Sequence, residues 1–376
     1  MGLNTLVERS DVVVCCGPGG VGKTTSAAVI ALHAARCGRR AVVVTIDPAR
    51  RLGDALGLPG GLTGTPTRID IDGTGELWAM MLDTPAMFVG VVRTHASDPA
   101  QADRIAQNRF YRNIASSLGG TQEYMATEAL YELWGDDRFD LVVVDTPPSR
   151  NALDFLESPG VLTRFLGHPV FKLMMLPSRT GFRVLSVAAQ PLLRAIGRVV
   201  GSEVLTDAVA FFQAFAGMEA GFKARAEEVD RLLRADTTAF VLVTTPHHDS
   251  IDECGWFAQQ LHDAGFGVDA LVVNRLHPSF GSGSVADAER RARAASTRGA
   301  EDVAALWSNL AAERRLATDQ RAVVAPLADR TGSTVVEVPL LAADVHDSTT
   351  LDHVARHLFA GRVSPSRPGM VTSCRS

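Results

Sequence analysis

Seven short apolar runs punctuate the chain: 11–17 (DVVVCCG), 41–47 (AVVVTID), 77–83 (LWAMMLD), 139–148 (FDLVVVDTPP), 239–246 (AFVLVTTP), 268–276 (VDALVVNRL) and 334–341 (TVVEVPLL). They are rich in β-branched residues and do not alternate apolar with polar positions, so each predicts a strand buried on both faces. Helix-like segments separate them, at 23–36, 250–264, 301–317 and 348–360. Strand and helix in this rhythm predict the α/β class, a doubly wound and mostly parallel sheet covered on both sides.

Two stretches break the rhythm. Residues 84–135 read as helices, best defined over 104–118 and 122–133, and residues 158–235 are helical in pattern but punctuated by Pro159, Pro169, Pro177 and Pro191. The expected organisation is a core in two parts, 1–157 (with 84–135 a partly helical insertion) and 236–362. A helical subdomain at 158–235 separates them, and 363–376 forms a flexible tail. From 158 to 202 there is no acidic residue, whereas Arg164, Lys172, Arg179, Arg183, Arg194 and Arg198 lie among apolar side chains.

Composition narrows the classes. With 376 residues, 46% of them apolar and 21% charged, the chain has ample material for a core and is neither disordered nor a small disulfide scaffold. A net charge of −5 argues against wholesale nucleic-acid coating, so no nucleic-acid partner is expected. Five cysteines without a CxxC point to a reducing compartment. The N-terminus shows no secretory pattern, and no uncharged apolar run approaches the roughly 18 residues of a membrane helix. A cytoplasmic protein is expected, with any membrane contact peripheral. Lysine occurs only at positions 23, 172 and 223, so each one retained draws notice.

One of the three stands in Gly17-Pro-Gly-Gly-Val-Gly-Lys-Thr-Thr25, which fits G-x-x-x-x-G-K-[ST] between a predicted strand and a predicted helix. Such a loop turns backbone N–H groups toward an anion at a helix N-terminus. Gly17, Gly19, Gly20, Val21 and Gly22 would form the cradle, with Lys23 reaching the β- and γ-phosphates. Thr24 would meet Mg²⁺ and Thr25 the α-phosphate. Hydrolysis needs two more groups. Asp145, ending the strand LVVVD, is the candidate carboxylate for the metal. Asp47, followed by the stiff Pro48, is the candidate for orienting water. Either aspartate could instead be a helix cap.

Together the P-loop at 17–25, the DPA at 47–49 with Asp54 beyond it, and DTPPSRNALDFL at 145–156 resemble the ArsA-type ATPases. That family includes arsenite-pump ATPases and ATPases that target tail-anchored membrane proteins. The similarity extends to VVNRLHP at 272–278 and VPLLAADVHDSTTLDHV at 338–354. The Arg-rich usage and the Asn151-Ala-Leu153 form of the second switch resemble the actinobacterial anion-transporting branch. The resemblance implies an ATP- and Mg²⁺-dependent dimer in which switches at 47–54 and 145–153 drive the helical insertion. It also implies that Asn274 and Pro339 line the base pocket. His277 stands where guanine readers carry Asp, which favours adenine.

The chain departs from the family pattern at several points. Pro18 replaces a second P-loop lysine that reaches across the dimer, and Arg50 or Arg51 is the expected substitute. Asn151 and Arg150 replace a His and a Gly of the second switch, which implies slow or partner-dependent hydrolysis. No CxxC follows Asn274, so no zinc clasp is expected, and no cysteine lies between Cys37 and Cys254 to form an arsenic thiol site. The pair His247-His248 reads as loop, Trp78, Trp134, Trp256 and Trp307 as core or edge residues, and Asp344 and Asp347 as caps.

The expected activity is therefore a Mg-dependent ATP hydrolase, a homodimer or a heterodimer with a paralogue, handling a hydrophobic or membrane-associated client. The basic helical stretch is the candidate client surface, or an ordinary subdomain with arginines over its own core. Two rivals stay open: a catalytically weak ATP-binding partner subunit, and a partitioning-type positioning ATPase.

Overall fold

The computed structural model describes residues 2–47, 51–58, 60–109, 121–167, 202–345 and 347–359. Eight strands form one sheet in the order β3-β4-β2-β5-β1-β6-β7-β8. They are β1 (Val12–Cys16), β2 (Arg40–Thr45), β3 (Thr67–Ile69), β4 (Glu76–Met81), β5 (Leu141–Asp145), β6 (Thr238–Thr244), β7 (Ala270–Leu276) and β8 (Thr334–Pro339). Every pairing is parallel except β3 with β4. All seven expected strands are present. The three-residue edge strand β3 was not expected, being too short and too polar (TRI) to leave a pattern.

Side chains of β1 alternate between two cores. Val12, Val14 and Cys16 enter one, and Val13 and Cys15 the other. Both faces are dry, which is why the strand carries no polar residue. Complete burial of Val12, Val13 and Val14 stabilises the fold by roughly 1.5–3 kcal/mol each. The first core is closed by α6 (Thr121–Trp134), α7 (Ser149–Gly167), α9 (Glu219–Leu233), α10 (His248–Asp263) and the long α12 (Glu301–Thr331). The second is closed by α1 (Leu3–Arg9), α2 (Lys23–Arg36), α3 (Arg51–Ala55) and α13 (Ser348–Phe359). A satellite core, built around Phe88, Ile105, Met125, Phe215 and Phe222, joins α4 (Thr84–His95), α5 (Pro99–Gln107) and α8 (Ser202–Ala214) to α6 and α9. The remaining helix, α11 (Val285–Ser296), pairs along α12.

Three helices differ from expectation. The expected helix at 104–118 is in part α5, which runs only over Pro99–Gln107, and residues 110–120 lie outside the described residues. α7 runs through Pro159 instead of breaking there. A proline cannot donate to the carbonyl four residues back. Here the buried Ser158 hydroxyl takes over, donating to the Phe155 carbonyl at 2.9 Å. α12 continues past the expected end at 317, through Pro326, to Thr331. Most of the basic stretch is also outside the described residues, since only 158–167 and 202 of the window 158–202 are described.

β1 lies between β5 and β6, and the connections on its two sides wind in opposite directions. Its carboxyl end is thus the switch point where α/β sheets bind ligands. Among the described residues no helix is long and apolar enough to cross a membrane.

Candidate active site

The loop leaving β1 is shaped by two close approaches. At Gly17 (φ +145°) a Cβ would stand 2.1 Å from the Val243 carbonyl oxygen, so β1 and β6 can flank the loop only without a side chain there. At Gly22 (φ +100°) a Cβ would lie 2.3 Å from Asn274 Nδ2. Gly22 caps α2 in the left-handed region, and that helix begins at Lys23. Gly19 and Gly20 are exposed at the loop's tip, and Val21 is buried beneath it. The backbone is therefore open to a ligand on its outer side and tied to the sheet on its inner side.

Lys23 is buried and donates from Nζ to the Pro18 carbonyl at 2.8 Å. Burial pushes its pKa below the ordinary lysine value, opposed first by the negative charge of Asp145. A desolvated ammonium with one backbone partner retains two N–H donors for phosphate oxygens.

Asp145 is the centre of the polar network. Its Oδ2 accepts from Thr24 Oγ1 at 2.8 Å and from Thr45 Oγ1 at 2.9 Å. Its Oδ1 is buried and has no hydrogen-bond partner. Burial raises the carboxyl pKa from 3.8 to about 6, despite the two hydroxyls and Lys23, which lower it. An orphaned carboxylate oxygen in a dry site costs free energy unless a cation or a donor meets it. With Thr24 beside it, the donor set is all oxygen, as a hard cation such as Mg²⁺ prefers. The residues fit the ion that the motif implies. Thr45 was not a sequence candidate; it reaches the site because β2 pairs with β5 in a register that sets Thr45 opposite Asp145.

Asp47 stands two residues beyond β2, so the strand ends earlier than expected. Its carboxylate is about a quarter exposed, 3.9 Å from the Arg51 guanidinium, and its charge acts on both Lys23 and Asp145. Arg50, Pro48 and Ala49 lie outside the described residues, as do the side chains of Arg150 and Asn151. At the second switch, Thr146 donates to the Cys15 carbonyl at 2.8 Å, and a Cβ on Gly19 would touch Pro148 at 4.0 Å. The second switch therefore abuts both β1 and the tip of the P-loop.

On the far side, Asn274 Nδ2 donates to the Val21 carbonyl at 2.8 Å, and Asn274 Oδ1 accepts from the Arg275 N–H at 2.9 Å. Arg275 has φ +58° at a bulge in the β7–β8 pairing, across which Leu276 meets Pro339. The structure thus brings Asn274 to the P-loop and sets Pro339 beside it on the neighbouring strand. The following loop is gathered around the buried Arg314 guanidinium, which donates to the Phe280, Ser282 and Ser284 carbonyls at 3.1, 2.7 and 3.1 Å. Thr25 lies half-buried in the first turn of α2.

The remaining candidates fall elsewhere. His247 caps α10 and His248 begins it, and no described cluster of three ligating side chains surrounds them. Asp347 caps α13 through the Thr350 N–H at 2.8 Å. Trp134 and Trp256 are 42% and 45% exposed, so they are surface residues and not core.

A family model for anion-transporting ATPases of the ArsA type matches residues 10–303, which span the P-loop, both switch segments and the Asn274 strand. The chain belongs to the ArsA ATPase family. This ArsA-family protein is similar to ATPase get3 of Aspergillus terreus (strain NIH 2624 / FGSC A1156), 29% identical over 271 residues covering 71% of this chain and 73% of that one. It is also similar to ATPase GET3 of Rhodotorula glutinis, at 27% over 69% of this chain and 68% of that protein. ATPase GET3 of Malassezia globosa (strain ATCC MYA-4612 / CBS 7966) matches at 28%, over 72% and 74%. The ArsA-family chain is an ATP hydrolase, built on the α/β P-loop fold its strands predict.

Proposed function

We propose that this ATPase is a Mg²⁺-dependent dimeric nucleotide switch that handles a hydrophobic or membrane-associated client. The observation that carries the metal and nucleotide part is the orphaned Asp145 Oδ1 beside Thr24, at the foot of a loop whose lysine is buried and only lightly engaged. Thr24 and Asp145 would hold Mg²⁺, which when bound supplies positive charge to the phosphate oxygens. The loop amides at Gly19–Thr25 and Lys23 stabilise the charge that develops as the terminal phosphoryl group departs. Asp47 orients the attacking water, Asn274 and Pro339 line the adenine, and Thr25 serves the α-phosphate.

The switch part rests on continuity. The segment after Asp47 leads into α3, and Thr146 leads into α7, which packs against α6 and α9. A change at the terminal phosphate therefore has a covalent route to the helical layer. The resemblance to client-targeting ATPases and the basic window at 158–202 support the client reading. The parts proposed are the core at 1–157 and 236–362 and the helical subdomain at 158–235.

A second reading, a heterodimer in which a paralogue completes the site, is favoured by Pro18. Where the family places a cross-subunit lysine, this chain offers a carbonyl that Lys23 itself uses. Single-turnover hydrolysis of ATP with Mg²⁺, read with sedimentation velocity, tests both. Turnover and dimerisation by the chain alone support the homodimeric switch. Turnover only after a paralogue is added supports the second reading, and none in either setting refutes the site assignment.

A further inference from the structure

Asp47 belongs to no helix or strand, yet a residue that orients water must hold its carboxylate to within a fraction of an ångström. Beside the Arg51 ion pair, one restraint on it is the peptide that joins it to Ile46. That segment is held from two directions. The Ile46 N–H donates to the Asp145 carbonyl at 3.1 Å, which continues the β2–β5 ladder one step beyond the strand. The Ile46 carbonyl accepts from Gln122 Nε2 at 3.0 Å. A peptide unit is planar, so the carbonyl of Ile46 and the N–H of Asp47 turn together. A side chain that grips this oxygen therefore sets the plane from which the Asp47 side chain departs.

Gln122 is well placed to grip it. It lies in the first turn of α6, a helix whose Met125, Ala126, Ala129, Leu130 and Leu133 are buried in the two cores it joins. In the second turn, Tyr124 donates to the fully buried Glu128, whose Oε2 lies 3.3 Å from Arg225 Nε on α9. α6 is thus fastened along its length, and its amino end presents one amide to a carbonyl 76 residues away in sequence.

We infer that Gln122 is a positioning residue for ATP hydrolysis, holding the Ile46–Asp47 peptide so that the Asp47 carboxylate faces the attacking water. This rests on the reading of Asp47 given above. It adds that turnover depends on a helix outside both switch segments. The residue lies in the first interrupting stretch, where the sequence shows no catalytic motif.

The test compares Gln122→Met, which keeps length but has no donor, Gln122→Glu, which is isosteric but offers only acceptors, and Gln122→Lys, which keeps a donor of similar reach. Single-turnover rate, ATP affinity by titration and melting temperature are measured for each, with Asp47→Asn alongside. Gln122→Met and Gln122→Glu should turn over about tenfold more slowly, equivalent to about 1.4 kcal/mol, with ATP affinity within about twofold of the parent. Melting temperature should be unchanged, and Gln122→Lys should recover most of the rate. A parental rate in Gln122→Met and Gln122→Glu overturns the inference, as does a loss equal in all three variants or one confined to ATP affinity. If Asp47→Asn is inactive while Gln122→Met is parental, this inference alone fails. A parental rate in Asp47→Asn sinks the Asp47 reading and this one with it.

Discussion

Replacing Asp145 with Asn should stabilise the nucleotide-free protein at neutral pH while abolishing its response to magnesium. Burial raises the Asp145 carboxyl from 3.8 to about 6 in the folded chain. Above about pH 6 the folded protein carries an ionised, half-satisfied carboxylate that the unfolded chain would hold in water. Two pKa units correspond to about 3 kcal/mol of destabilisation. Because the folded pKa is raised, this cost is absent below the unfolded pKa, near pH 4, and is fully present once the pH has risen through 6. Asparagine carries no charge, and its amide can meet the Thr24 and Thr45 hydroxyls, which rotate to suit. For a chain of this size about 3 kcal/mol is a melting shift of about 4 °C. Scanning calorimetry of parent and Asp145→Asn, nucleotide-free, should show the variant melting higher at about pH 8 and the two converging at about pH 4. Adding Mg²⁺ to the ADP-saturated proteins should raise the parent further and leave the variant where ADP alone puts it. A variant that melts at or below the parent at the higher pH, or a difference that does not change with pH, refutes the reasoning from the orphaned oxygen.

Gly17→Ala places a Cβ against the Val243 carbonyl at a φ that L residues avoid, so it should lose at least about 2 kcal/mol of stability and all measurable ATP binding by titration calorimetry. Ser158→Ala strips the Phe155 carbonyl of the hydroxyl that stands in for the missing proline N–H. Urea denaturation should show a loss of about 1–2 kcal/mol, with ATP affinity unchanged. Asn274→Ala frees the Val21 carbonyl and removes the candidate base reader, so preference for ATP over GTP in competition binding should fall about tenfold.

How much of this was legible in the sequence follows from what each contact needs. The seven central strands announce themselves because both faces are dry, which forces unbroken apolar runs such as Val12–Cys16. β3 and α11 were silent for opposite reasons. The first is three residues long, and the second buries only Ala288, Ala292 and Ala295, whose helical spacing is carried by methyl groups too small to register beside five charged neighbours. Proline misled at 159, since whether a helix survives depends on its neighbours, here Ser158. Lys23, Thr24 and Asp145 could be named from motif position alone. Thr45 and Gln122 could not, because only the β2–β5 register and the docking of α6 bring them to residues about 100 and 76 positions away.

The bond between Lys23 and the Pro18 carbonyl has a kinetic consequence. Proline fixes its own φ, which removes one of the two backbone rotations that could carry this carbonyl away from the lysine. An empty loop braced in this way keeps its curvature, and an arriving polyphosphate has only to displace one intramolecular acceptor. Nucleotide capture should then follow simple second-order kinetics, the observed rate climbing in proportion to concentration without the plateau that a slow prior rearrangement would impose.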